Sequence, residues 1–200
     1  VYSYRIEQAI RAATVLHKDN VRRGLPPLPY VTHLFAVAWM VRDYAKSENT
    51  VIAAFLHDVL EDTAYTREEL EEDFGEQVRA LVEALTEPSE KNGKPLTWKE
   101  RKDAYIAGLK KAPTDALIIA AADKIHNMRC IVEQYYDDHG RFLTDFPGSL
   151  EERALGYQDL SNLLNRQLDN AIIGEFNHVY TEYKNFLGNV KRSQEKVPKK

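Results

Sequence analysis

An all-α, single-domain fold follows from three features of the chain. Apolar residues recur at helical spacing almost throughout, Ser/Thr-x-x-Glu capping signatures punctuate the sequence, and no run alternates apolar and polar residues as a half-buried strand does. The 200 residues, 44% hydrophobic and 29% charged, suffice for one ordinary core. The spacing predicts a bundle of about eight or nine helices over residues 1–190, followed by a basic, disordered tail at 191–200.

The elements come in order. Residues 4–17 set Ile6, Ile10, Ala13 and Leu16 on one stripe. Residues 22–29, Arg-Arg-Gly-Leu-Pro-Pro-Leu-Pro, cannot continue a helix and form a shaped connection. Thr32 is a candidate N-cap for a helix to Tyr44 that turns Leu34, Val37, Ala38, Val41 and Tyr44 inward. Asn49 or Thr50 can cap the next helix, whose run Val51–Leu56 has no polar face and so belongs at the centre. Capping boxes at Thr66/Glu69, Thr97/Glu100 and Ser149/Glu152 mark three further starts. Thr114, after Pro113, opens a helix through the apolar run 116–122, and residues 170–186 read as the last one. Residues 87–96 and 137–149 are polar loops.

Composition excludes several classes. A net charge of −4 argues against a dedicated nucleic-acid binder but leaves room for a small anionic substrate in a locally basic pocket. A single cysteine, Cys130, cannot make an internal disulfide or a Cys-based zinc site, and reads as a small buried apolar residue. No stretch reaches the ~18 apolar residues of a membrane span, and no signal-like segment opens the chain. The expected setting is cytoplasmic. Oligomeric state is not encoded in any feature of the sequence.

Chemistry is concentrated where the core should be. His57 and Asp58 directly follow the apolar run, and burying them without partners costs several kcal/mol. Glu61 and Asp62 follow four residues later, on adjoining lines of the same helical face. Three neighbouring carboxylates repel unless a cation or shared protons offset them. A divalent metal held by His57 and Asp58 satisfies both and frees Glu61 and Asp62 for acid–base work; a solvent-facing acidic helix end with one structural His is the alternative. Asp123 ends a second apolar run after three alanines, and His33 stands at a helix entrance after the Pro-rich loop. Two imidazoles and two carboxylates suit Mn, Fe, Zn or Mg better than a thiophilic metal.

These residues also carry a resemblance. The succession His33, His57-Asp58, Asp123 resembles the H…HD…D pattern of the HD-domain metal phosphohydrolases. The segments Pro29-Tyr30-Val31-Thr32-His33, His57-Asp58-Val59-Leu60-Glu61-Asp62-Thr63 and Ala121-Ala122-Asp123-Lys124-Ile125-His126-Asn127-Met128-Arg129 resemble the hydrolase domain of the RelA/SpoT family, in its small stand-alone form. So do Phe74–Val78 and Trp98–Tyr105; the resemblance runs from about residue 5 to 135 and fades beyond. It implies Mn²⁺-dependent removal of the 3′-pyrophosphate of ppGpp and pppGpp. By match, His33, His57, Asp58 and Asp123 hold the metal, and Glu61 with Asp62 orients and deprotonates water. Arg22 and Arg23 form the nucleotide-binding basic pair, where a guanidinium can stack on a purine and contact phosphate. Asn127, four after Asp123, reaches toward ribose or base. His126 lies behind the ligands or is simply packed, Lys124 is a phosphate-side or surface charge, and Tyr157 lines the pocket from a late helix. At 200 residues no synthetase domain is expected. Competing readings are an HD-family nucleotidase or NADPH phosphatase, a non-catalytic nucleotide-sensing module, and a helical interaction protein. The Glu61-Asp62 pair, which pure binding does not need, favours turnover.

Overall fold

The computed structural model describes residues 3–22, 26–91, 93–138 and 150–195. Among these, nine helices longer than one turn and one single turn make up the architecture, with two minimal hairpins: α1 Tyr4–Leu16, β1 Val21–Arg22, β2 Leu28–Pro29, α2 Val31–Tyr44, α3 Glu48–Leu56, α4 Val59–Asp62, α5 Arg67–Phe74, α6 Glu76–Leu85, β3 Glu90–Lys91, β4 Lys94–Pro95, α7 Trp98–Leu109, α8 Thr114–Asp137, α9 Leu150–Gln167 and α10 Ile172–Glu195. The all-α expectation holds. The hairpins differ from it only because ladders of two residues carry no periodicity that a sequence can show.

The apolar run Val51–Leu56 becomes α3, the innermost helix. Ile52, Ala53, Ala54 and Leu56 are fully buried, and α1, α2, α6 and α8 all pack on it. Burying a side chain such as Leu56 or Ile119 contributes about 1.5–3 kcal/mol. On α8 the stretch Ala116–Ala122 is likewise buried, and its alanines let α2 and α6 approach closely before Asp123. α10 packs along α8, and α9 packs on α10 through residues including Leu160, Leu164, Phe176 and Tyr183.

Helix starts show where local chemistry decides. Thr66 and Thr97 form complete capping boxes with Glu69 and Glu100, as their spacing predicts. The third box, at Ser149, lies outside the described residues. Thr32 is not the cap of α2: the helix begins at Val31 after Tyr30, and the Thr32 hydroxyl donates to the Pro29 carbonyl. Ser47, rather than Asn49 or Thr50, caps α3, accepting from the Asn49 N–H. Gly75 closes α5 and opens α6 at φ 87°, a conformation that strains any residue with a Cβ. The last helix runs past its expected end to Glu195, through the first half of the expected tail; residues 196–200 lie outside the described residues. No described helix is long and apolar enough to cross a membrane.

Candidate metal centre and its cavity

Three helical segments bring the polar residues together. α3 ends at Leu56, so His57 and Asp58 form the corner between α3 and α4 rather than continuing one regular helix face with Glu61 and Asp62. His33 enters from the first turn of α2, and Asp123 from the middle of α8. Ligand-type atoms of His33, His57 and Asp58 all lie within 4.8 Å of one another. Asp58 Oδ2 is 3.3 Å from His57 Nε2 and 3.6 Å from His33 Nε2. Asp123 Oδ1 completes the cluster at 3.2 Å from His33 Nε2 and 3.9 Å from His57 Nε2. His33, His57 and Asp123 are buried.

Further side chains hold these four in place. The Ala54 carbonyl accepts from His57 Nδ1 at 2.8 Å. Tyr30 donates its hydroxyl to Asp58 Oδ2 at 2.7 Å. Lys124 Nζ donates to Asp123 Oδ2 at 2.5 Å, and Asn127 Nδ2 to Asp123 Oδ1 at 2.5 Å. Arg22, fixed in the β1–β2 hairpin, donates to Asn127 Oδ1 at 2.8 Å. A chain of contacts thus runs from Arg22 to the buried carboxylate. Arg23 lies outside the described residues.

The electrostatics match a cation-binding centre. Burial pushes the His57 imidazole down, but Asp58 and Asp123 outweigh it and raise it to about 9. At His33 burial wins over Asp123, and the ring is held neutral. Burial opposes ionisation of Asp123, yet Lys124 and the two imidazoles hold its carboxyl well below the usual range. Asp58 and Asp123 therefore favour positive charge at His57 Nε2. That nitrogen is buried and no neighbour meets hydrogen-bond geometry with it, so the 3.3 Å approach of Asp58 is a charge contact only. An orphaned imidazole nitrogen facing carboxylates fits a divalent ion held by a mixed N/O set.

A cavity of about 170 Å³ opens beside the cluster, lined by Tyr30, His33, His57, Asp58, Glu61, Leu85, Glu87, Tyr105, Asp123, Lys124 and Asn127. It is small beside the roughly 300–1,000 Å³ of pockets that engulf a drug-sized ligand, so it accommodates a phosphate-sized group rather than a whole nucleotide. Glu61 is in its wall. Burial raises the Glu61 carboxyl to about 7, and its Oε1 accepts the Glu87 N–H at 2.6 Å. Asp62 is not among the lining residues; its carboxyl is raised by burial and by Asp58. Tyr157 packs on Tyr183, with ring centroids 5.1 Å apart, and is also not among the lining residues.

Sequence reasoning gave no role to Tyr30, Tyr105 or Glu87. Tyr30 had a signal, three residues before His33 in the same short motif. Glu87 had none: it stands in a loop distant from every motif and is held there by an ion pair with Lys102. Cys130 is half-buried, with Sγ 3.6 Å from His126 Nδ1.

The profile of the HD domain matches residues 6–142, and the chain belongs to the HD-domain family. Within it, the chain is 35% identical over 124 residues to a probable GTP pyrophosphokinase of Mycobacterium leprae, covering 62% of this chain and 15% of that protein. It is 32% identical over 133 residues to the bifunctional (p)ppGpp synthase/hydrolase SpoT of Escherichia coli K12, covering 64% of this chain and 18% of that one. The chain thus spans less than a fifth of these relatives. Among solved structures, a metazoan ortholog of SpoT described as hydrolysing ppGpp aligns with TM-score 0.74 and 24% identity, over 91% of this chain and 97% of that one. A Listeria monocytogenes EGD-e protein aligns with TM-score 0.67 and 24% identity, over 78% and 99%. These two similarities establish the fold.

Proposed function

We propose that the chain is a Mn²⁺-dependent hydrolase of the 3′-pyrophosphate of ppGpp and pppGpp. The observation that carries the reading is the convergence of two imidazoles and two carboxylates on a small polar cavity that also holds Glu61. Names among the relatives support the substrate: besides SpoT, a Haemophilus influenzae protein 34% identical over 109 residues is named guanosine-3′,5′-bis(diphosphate) 3′-pyrophosphohydrolase.

In this reading His33, His57, Asp58 and Asp123 hold the ion. When bound, a divalent metal makes water more acidic and screens phosphoryl charge. Glu61 is the general base: its carboxyl is raised toward neutrality and the Glu87 N–H fixes one of its oxygens. Asp62 helps orient the water from the same turn. Water adds to the phosphorus on the ribose 3′-oxygen, the P–O3′ bond breaks, and the oxygen takes up a proton to leave GDP or GTP and pyrophosphate. Lys124, lining the cavity, faces the phosphate charge. Arg22 with Asn127, and Arg23 beside it, bind the nucleoside part, which the cavity is too small to enclose.

The test is product identification. Metal-loaded protein is incubated separately with ppGpp, NADPH, deoxynucleotides and cyclic nucleotides. Pyrophosphate and GDP from ppGpp are expected. Orthophosphate from NADPH with ppGpp untouched would overturn the reading in favour of a phosphatase, and nucleotide binding without turnover in favour of a sensing module.

A further inference from the structure

A histidine that coordinates an ion through one ring nitrogen carries its proton on the other, and that N–H needs an acceptor. At His57 the matter is fixed. Its Nδ1 faces the Ala54 carbonyl oxygen, which can only accept, so Nδ1 always bears hydrogen. His33 is different. Its Nε2 faces Asp123 Oδ1 at 3.2 Å, while its Nδ1 lies 2.9 Å from Nδ1 of His126. That 2.9 Å N···N separation is a hydrogen-bond distance, and the two rings are tilted by 49°.

Between two neutral rings a single hydrogen occupies that bond, and either ring can own it. If His126 owns it, His33 keeps its own hydrogen on Nε2, aimed at Asp123, and offers no lone pair to an ion. If His33 owns it, Nε2 is bare and can ligate. His126 then carries its hydrogen on Nε2; Cys130 Sγ lies near both of its ring nitrogens, 3.6 Å from Nδ1 and 3.8 Å from Nε2.

We infer that His126 is a positioning residue for the metal centre: it accepts the Nδ1–H of His33 when an ion is bound and donates to the same nitrogen when it is not. Loading moves both rings from one neutral tautomer to the other. The bridging hydrogen passes from His126 Nδ1 to His33 Nδ1, His33 loses its Nε2 hydrogen, and His126 gains one on Nε2, so no net proton is released by the pair. The neighbouring Asn127 holds Asp123 in the same region of α8, so consecutive residues each steady one ligand. The inference rests on His33 and His57 being ligands, and not on the identity of the substrate.

Long-range ¹H–¹⁵N correlation spectra of the ¹⁵N-labelled chain test it, metal-free and loaded with diamagnetic Zn²⁺. On loading, His33 is expected to change from the Nε2–H to the Nδ1–H form, and His126 from Nδ1–H to Nε2–H. His126 retaining Nδ1–H with zinc bound overturns the inference. Zinc that leaves the His33 and His57 nitrogens unshifted refutes the metal-site reading itself, which is a separable result. In parallel, His126→Phe should weaken zinc binding about 10–100-fold, and His126→Gln, which retains an acceptor oxygen, should recover most of it. A folded His126→Phe chain binding zinc within about twofold of the original also overturns the proposal. Should His126→Phe not fold, the spectra of the unmodified chain decide alone.

Discussion

Raising the pH of the metal-free protein from about 7 to about 9 strips the proton that the fold holds on His57, and the protein should become less stable as it does. The sign follows from the direction of the shift. Asp58 and Asp123 lift the folded-state value to about 9 against an ordinary 6.5, so the proton stabilises the fold fully below pH 6.5 and its contribution is lost as pH rises through 9. At about 1.4 kcal/mol per unit, the whole effect is about 3 kcal/mol, of which about 2 kcal/mol falls between pH 7 and 9. Most other groups change outside this window, and the Cys130 thiol, pushed up by burial, acts alike in the native chain and the variant. His33 and His126 are lowered, so their effects lie below pH 6.5. Glu61, raised to about 7, has lost most of its influence by the start of the window. The assay is urea unfolding at a series of pH values with a chelator present, comparing the native chain with His57→Gln. The native chain should lose about 2 kcal/mol and the variant should be nearly flat. Equal slopes, or a flat native chain, would refute the reasoning. Added divalent metal must compete with the same proton, so its apparent affinity should climb about tenfold per pH unit below 9.

The other predictions concern turnover, recognition and the scaffold. Glu61→Gln should lower kcat about 10²–10⁴-fold while calorimetry finds metal affinity unchanged; normal turnover removes Glu61 as base. Arg22→Ala deletes a charged hydrogen bond to Asn127, and should raise KM for ppGpp roughly 10–100-fold with metal binding intact. Thr97→Ala breaks the capping box of α7, and denaturant unfolding should show a loss of about 1 kcal/mol.

Much of the fold was legible because its signals are local. Thr66 and Thr97 cap through residues three places on, and the Val51–Leu56 run has no polar face whatever surrounds it. Where two local solutions compete, the sequence does not choose. Ser47, Asn49 and Thr50 are all competent caps, and Ser47 is used because its backbone is extended, at φ −107° and ψ 137°. The candidate site divides the same way. His33, His57, Asp58 and Asp123 stand at the ends or bends of apolar runs, where buried polarity demands a reason, and all four converge. Tyr30, His126 and Glu87 were harder to assign. Their contacts to Asp58, His33 and Glu61 span 28, 93 and 26 residues of chain, and only tertiary packing creates them. The corner at His57-Asp58 was also hidden, because helical spacing looks the same whether or not the helix turns there.

The central claim is that these ligands hold one divalent ion in a cavity where Glu61 drives hydrolysis at the 3′-phosphorus. The most direct measurement is a ³¹P NMR time course of ppGpp with metal-stripped protein, into which Mn²⁺ is then introduced in trace amount and chelated before each spectrum. The account predicts unchanged ppGpp resonances before addition, then pyrophosphate and GDP rising together. Pyrophosphate release already complete in the stripped protein, or orthophosphate in place of pyrophosphate, would contradict it.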